Sequence, residues 1–320
     1  MMKIVYLDCR TVNPGDLSWE GLDQLGEWEC YERTAPEDVV SRIGDAEVVI
    51  TNKVRMDENV FSQCPNLKLI CVSATGYDVI DVVAAKKYGI LVCNCAGYST
   101  NAVAQMVVAH LLEVTNQVGH YSRRITEEGE WVASRDFCYW NKPIIELQGL
   151  KVAIIGWGNI GEAVAERLLP FGVKLFAVTS RPQEDLLPSV EKITIEQAFQ
   201  ECDVVSLNCP LTPKNAGFVN AELLKDSNPN LIIINTARGG LINEEDVARA
   251  LHEYKLMAYC TDVLTKEPAR ADNPLLKAPR VFITPHIAWA APGARRRIIQ
   301  ILKENILAYQ AGRPASVVNG

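Results

Sequence analysis

The sequence predicts an α/β protein of two doubly wound, parallel-sheet domains with a cleft between them. Three observations carry that expectation. Short β-branched runs alternate with helical patterns almost throughout the 320 residues, the order that yields a parallel sheet covered by helices. The alternation starts afresh at Lys151, after a long helical stretch and an irregular segment. A chain of this length also exceeds what one hydrophobic core usually organises.

In the first series Ile4–Leu7, Val48–Ile50, Leu69–Val72 and Ile90–Val92 read as strands. Trp19–Leu25, Pro36–Ile43, Asp57–Gln63 and Ile80–Tyr88 read as the helices between them. Asn101–Arg124 is predicted as one longer helix with Ser99 or Thr100 as its N-cap. Its apolar residues cover most of the circumference, which predicts burial between layers or domains. Ile125–Pro143 reads as irregular. The aromatics Tyr121, Trp131, Phe137, Tyr139 and Trp140 cluster around it, either as local core or as a subunit contact or pocket wall. The second series supplies strands at Val152–Ile155, Lys174–Val178, Val204–Leu207, Leu231–Asn235, Ala258–Cys260 and Val281–Thr284. Ala294–Tyr309 is one more helix. With six strands already in the second series, this helix is expected to return to the first domain and make it discontinuous.

Composition narrows the function classes. Hydrophobic residues make up 48% and charged residues 22% of the chain, which is ordinary for a globular protein and excludes disorder. A formal net charge of −7 argues against a nucleic-acid partner, because phosphate neutralisation needs clustered Lys and Arg. The one basic run, Arg295-Arg296-Arg297, reads as a solvated helix face. The most apolar helical stretch, Val103–Leu112, is short and interrupted by Gln105 and His110, so no membrane span is expected. The N-terminus enters a strand-like run directly, which disfavours secretion. Ten cysteines without a CxxC pair and four histidines without ligand spacing predict no metal, and a reducing, cytoplasmic compartment.

The strongest motif is Gly156-Trp157-Gly158-Asn159-Ile160-Gly161, a GxGxxG between a strand and a helix. The first glycine permits a tight turn, the second lets backbone approach a pyrophosphate, and the third allows close helix–strand packing. Asn159 and Ile160 open the helix whose N–H groups would face the phosphates, so a dinucleotide is expected. A carboxylate about 20 residues on normally holds an NAD ribose. Here the next strand ends Thr179-Ser180-Arg181, with no acid. Those side chains suit a 2′-phosphate, which favours NADP(H); with Arg181 turned to solvent, NAD(H) is also accepted.

Further candidates follow the later strands of the second series, where ligands bind in open α/β sheets. Cys209-Pro210-Leu211-Thr212 either lines the cofactor cleft or is a plain strand-end turn. Thr236, Ala237 and Arg238 follow Leu231–Asn235, Asp262 and Glu267 follow Ala258–Cys260, and His286 follows Val281–Thr284. Singly, Arg238 also suits a structural ion pair, Glu267 a solvated loop acid and His286 a satisfied imidazole. Their joint placement beside a glycine loop favours a catalytic set.

These motifs together, with Ala74-Thr75-Gly76-Tyr77-Asp78 and Ala102–Gln105, resemble the D-isomer-specific 2-hydroxyacid dehydrogenases over essentially the whole chain. Within that family, Ala271–Leu276 and Pro285–Ala290 look most like glycerate dehydrogenases and glyoxylate/hydroxypyruvate reductases. The resemblance implies a flavodoxin-like substrate domain from residues 1–98 and 289–320. It implies a Rossmann cofactor domain over 99–288 and a homodimer built on the cofactor domains. It further implies hydride exchange between a nicotinamide and a small 2-oxo or 2-hydroxy acid. Arg238 would bind and polarise the substrate, with backbone N–H groups near Thr75 and Gly76 holding its carboxylate. His286 would exchange the proton with support from Glu267, and Asp262 would lie near the nicotinamide carboxamide. Gln105 and Thr179 depart from the common family residues. The alternatives are a phosphoglycerate dehydrogenase-like enzyme or, in a different class, a dinucleotide-sensing transcriptional corepressor.

Overall fold

The computed structural model describes all residues, 1–320, and divides into two compact units, Met1–Ser99 with Trp289–Gly320 and Thr100–Ala288. The first unit runs β1 (Lys3–Tyr6), β2 (Glu27–Cys30), α1 (Val39–Ile43), β3 (Val48–Thr51), α2 (Glu58–Gln63), β4 (Leu69–Val72), α3 (Val82–Lys87) and β5 (Leu91–Cys93). The second begins with α4 (Thr100–Asn116), α5 (Val118–Thr126) and α6 (Glu130–Ala133). It continues through β6 (Lys151–Ile155), α7 (Asn159–Leu168), β7 (Lys174–Val178), β8 (Val190–Lys192), α8 (Ile195–Glu201) and β9 (Val204–Leu207). It closes with α9 (Ala221–Lys225), β10 (Ile232–Asn235), α10 (Glu244–His252), β11 (Ala258–Thr261) and β12 (Val281–Ile283). The chain then returns to the first unit as α11 (Pro292–Gln310).

Both sheets are parallel throughout. The five-stranded sheet has the order β2-β1-β3-β4-β5 and the seven-stranded sheet β12-β11-β10-β9-β6-β7-β8. In the larger sheet the strand order reverses at β6 and β9, the switch point at which doubly wound sheets bind ligands. Its central strands β6, β9, β10 and β11 are buried along nearly their whole length because both faces are covered. Along β6, Val152 and Ile154 join the core under α4 and α7, while Ala153 and Ile155 join the core under α8, α9 and α10.

Several elements differ from expectation. The predicted helix Asn101–Arg124 is two helices, because Gln117 adopts a left-handed backbone (φ +55°) between α4 and α5. Helix Trp19–Leu25 is only a single 3₁₀ turn, Leu22–Gln24. Two strands were not expected, β2 and β8. Both are edge strands with charged, exposed positions, so neither has the apolar run that marks a buried strand. Glu130–Ala133 forms a short helix inside the segment read as irregular.

Candidate active site

The glycine turn after β6 is built by close backbone approach. Gly156 has φ +98°, and a Cβ there would lie 2.7 Å from the Cys209 nitrogen. A Cβ on Gly161 would lie 2.2 Å from the Gly156 carbonyl oxygen. Gly158, by contrast, faces open space, and no side chain caps the first turn of α7 behind it. Its N–H groups are therefore presented outward, as a pyrophosphate requires. Two buried polar atoms near the same strand ends, Thr236 Oγ1 and Asn208 Oδ1, have no hydrogen-bond partner. Buried polar atoms are normally satisfied, so this pair marks a place for a polar ligand. The residues present fit a dinucleotide.

The loops around it interlock. Asn215 Oδ1 accepts from Thr212 N–H at 2.6 Å and from its hydroxyl at 2.9 Å, while Asn215 Nδ2 donates to the Pro210 carbonyl at 2.8 Å. Burial raises the Cys209 thiol above its usual range, so it stays protonated and packs as part of the wall. Thr179 and Ser180 follow β7, and Arg181 is exposed and pairs with Glu162 of α7 at 2.7 Å. The guanidinium thus already faces the first turn of the glycine-loop helix.

At the end of β10, Asn235 is fully buried. Its Nδ2 donates to the Arg238 carbonyl at 2.9 Å and its Oδ1 accepts from Ala237 N–H at 3.1 Å, folding the loop that carries Arg238. Arg238 donates from Nη1 to the Ala237 carbonyl at 2.8 Å. The next residue, Gly239, lies so near the following loop that a Cβ would fall 2.0 Å from the Leu264 carbonyl carbon. Leu264 N–H in turn donates to Glu267 Oε1 at 3.0 Å, and Glu267 Oε2 meets His286 Nδ1 at 2.6 Å. The loops bearing Arg238, Glu267 and His286 therefore form one connected edge. A carboxylate only accepts, so Nδ1 carries the proton toward Glu267 and Nε2 lies on the other side of the ring.

Asp262 is buried and its carboxylate takes the hydroxyl of Thr284 at 2.6 Å and the N–H groups of Ile287 at 2.9 Å and Ala288 at 2.8 Å. An ionised carboxylate offers about four acceptor sites, which leaves room for one more donor. Thr75 and Gly76 lie in the first unit beyond β4. The Thr75 hydroxyl donates to the Cys95 carbonyl at 3.0 Å, and its own carbonyl accepts from Asn94 Nδ2 at 2.8 Å. Sequence reasoning missed Asn208, Thr284 and His110, and in the first unit Asn52, whose Oδ1 is also buried without a partner. A usable signal existed for Asn52 and Asn208: each is a polar residue closing an apolar strand run.

A family model described as D-isomer specific 2-hydroxyacid dehydrogenase, NAD binding domain, matches residues 108–288. The chain belongs to this family. A hydroxypyruvate reductase of Blautia hydrogenotrophica is 42% identical, covering 99% of this chain and 100% of its own. A glycerate dehydrogenase of Methylorubrum extorquens is 36% identical over 99% and 98% of the two chains. The crystal structure of an NADPH-dependent glyoxylate/hydroxypyruvate reductase from Sinorhizobium meliloti in complex with citrate superposes with a TM-score of 0.86 at 25% identity, covering 99% and 98%. The protein is thus an oxidoreductase of the CH–OH class that uses a nicotinamide cofactor. These relatives favour it over the phosphoglycerate and corepressor alternatives. No helix is long and apolar enough to cross a membrane.

Gly239→Ala tests the contact between the two loops. The added methyl meets backbone, which cannot rotate away, so stability is expected to fall by roughly 1–3 kcal/mol in denaturant unfolding. An unchanged midpoint would show that the loops are not in contact.

Proposed function

We propose that the protein reduces a small 2-oxo acid, hydroxypyruvate or glyoxylate, to D-glycerate or glycolate, with NADPH preferred over NADH. One observation carries the reading: the 2.6 Å hydrogen bond between His286 and Glu267, on loops joined to that of Arg238 and beside a dinucleotide turn. The cofactor, when bound, supplies hydride to the carbonyl carbon. Arg238 binds the substrate carboxylate and stabilises negative charge growing on the carbonyl oxygen, since a planar guanidinium offers several donors. His286 gives that oxygen its proton from Nε2. Glu267, holding Nδ1, fixes the ring orientation and stabilises the imidazolium before transfer. Gly156, Gly158, Asn159, Ile160 and Gly161 receive the pyrophosphate, with Thr236, Ala237, Cys209, Pro210 and Thr212 lining the cofactor and Asp262 accepting from the carboxamide.

The cofactor preference rests on Thr179, Ser180 and Arg181, where an acid would repel a 2′-phosphate. Arg181 is paired with Glu162, but an exposed ion pair contributes little and a phosphate can replace the carboxylate. A homodimer through this unit is supported by Trp131, Val132, Phe137, Trp140 and Ile144, which are all more than half exposed or at that limit. The segment is nonetheless held in place, with Asn141 and Lys142 N–H groups on the Tyr121 hydroxyl at 3.2 and 3.1 Å. An ordered apolar surface of that kind is typical of a subunit contact. Ten unpaired cysteines support a reducing, cytoplasmic compartment.

Purified protein should reduce hydroxypyruvate and glyoxylate, and His286→Ala should cost roughly 10²–10⁴ in kcat. Reduction consumes a proton, so its rate should fall toward alkaline pH while oxidation of the hydroxy acid falls toward acid pH. A His286→Ala variant of near-normal rate would end the proton-donor role. The Thr179→Asp, Arg181→Ala double variant should lower the NADPH-to-NADH ratio of kcat/KM; an unmoved ratio places the 2′-phosphate elsewhere. Phe137→Glu with Trp140→Glu should convert the dimer to monomer in sedimentation, and a persistent dimer would locate the interface on another face.

A further inference from the structure

The His286 backbone is strained. Its φ of +56° lies in the left-handed region, which a residue with a Cβ adopts only when its surroundings impose it. The restraint is visible. His286 N–H donates to the Thr284 carbonyl at 3.0 Å, and Asp262 takes the next two N–H groups, of Ile287 and Ala288. Asp262 is itself fixed through its N–H to the Asn235 carbonyl at 3.0 Å, and Thr284 through its N–H to the Thr261 carbonyl at 2.9 Å. Pro285 has no N–H and a preset φ. Each residue of the loop is thus tied or rigid.

Thr284 links this clamp to a buried histidine. Its hydroxyl lies 2.6 Å from Asp262 Oδ1 and 3.3 Å from His110 Nε2. The carboxylate can only accept, so the single hydroxyl proton goes to Asp262 and His110 must donate from Nε2. The chain of donors therefore runs His110 to Thr284 to Asp262. His110 lies in α4, 5% exposed, and burial lowers its pKa below the usual histidine range, in opposition to the Asp262 charge, which raises it. Its neighbours Val107, Leu111 and Val114 are packed in the core.

We infer that Thr284 and His110 are positioning residues for the catalytic imidazole: through Asp262 they hold the left-handed turn that sets the His286 ring on Glu267. The inference rests on the proton-donor reading of His286. Neither residue touches reactants. A loop that loses this restraint relaxes toward ordinary backbone angles and carries the ring away from Glu267. Small misplacements of a reacting group are costly, and binding of cofactor on the glycine turn is not involved.

Thr284→Val keeps the shape, removes the hydroxyl and strands the His110 N–H. It should lower kcat for reduction by roughly 10- to 100-fold. Thr284→Ser restores the hydroxyl and should recover most of the rate. Residue-resolved hydrogen exchange gives a readout separate from turnover: the Ile287 and Ala288 amides should be protected in the wild type and faster in Thr284→Val, with Ile233 in β10 unchanged. A Thr284→Val enzyme of wild-type kcat, a Thr284→Ser enzyme as slow as the valine variant, or wild-type amides at 287 and 288 exchanging at free-loop rates would each overturn the inference. Should Thr284→Val not fold, His110→Leu removes the donor while leaving the Thr284 hydroxyl in place, and the same exchange comparison decides. If the wild type reduces no 2-oxo acid, the functional reading fails, while the exchange data still settle the clamp.

Discussion

In a sheet whose strands all run one way, every carboxyl end lies along the same edge, and each strand there leaves its hydrogen-bonding ladder at the same level. The backbone beyond must find new partners, and in the second unit buried or half-buried polar side chains at the strand ends supply them. Asn208 after β9 turns its amide back on Ser206. Asn235 at the end of β10 folds the Arg238 loop. Asp262 after β11 takes the N–H groups of Ile287 and Ala288, and Thr284 after β12 adds its hydroxyl to that carboxylate. The first unit uses the same device. Asp8, just beyond β1, accepts from Asn52 and Lys53 N–H at 2.8 and 2.7 Å, and Asn52 reaches the Ser73 carbonyl at 3.2 Å. Chemistry gathers at this edge because it is where a parallel sheet has loops to shape.

Glycines set how closely those loops can lie. Gly156 lets the turn after β6 rest on the backbone of Cys209, and Gly239 lets the Arg238 loop rest on Leu264. Contact of backbone on backbone leaves no side chain to adjust, so the spacing of the turn after β6 from the loop after β9, and of the Arg238 loop from the loop after β11, is inherited directly from strand register. Glu267 then transmits it: one carboxylate oxygen reads the position of Leu264, the other the position of His286.

What the sequence made legible follows from these physics. Strands β6, β9 and β10 are apolar at nearly every position because both sheet faces are covered, and they stand out in any reading. Glu27–Cys30 has no such run: it is an edge strand with half-exposed residues, and its pairing to β1 depends on a neighbour 24 residues away. The break at Gln117 is equally silent, since neither glycine nor proline marks a left-handed residue there. Among site residues, Arg238, Glu267 and His286 could be singled out because their side chains have only a few chemical uses at strand ends. His110 and Thr284 could not. In the sequence one is a histidine inside an apolar helix and the other a threonine ending a strand. Their hydrogen bond exists only once α4 is packed on the sheet and brings His110 to the residue after β12.

The division between exposed chemistry and buried support has its own logic. His286 and Glu267 side chains remain 29% and 35% exposed. Half-exposed side chains have rotameric freedom, and a hydrogen bond open to water restrains them weakly. Precision must then come from groups that water does not reach. Asp262 is 2% exposed, Asn235 fully buried and His110 5% exposed; the first two are hydrogen-bonded to backbone and His110 to the half-buried Thr284. In that low-dielectric layer a lost partner is expensive, which makes the arrangement stiff. The His286 imidazole can therefore sit at the surface of the loop edge and still be held in one place, because its backbone is fixed from beneath while only its ring is left open to solvent.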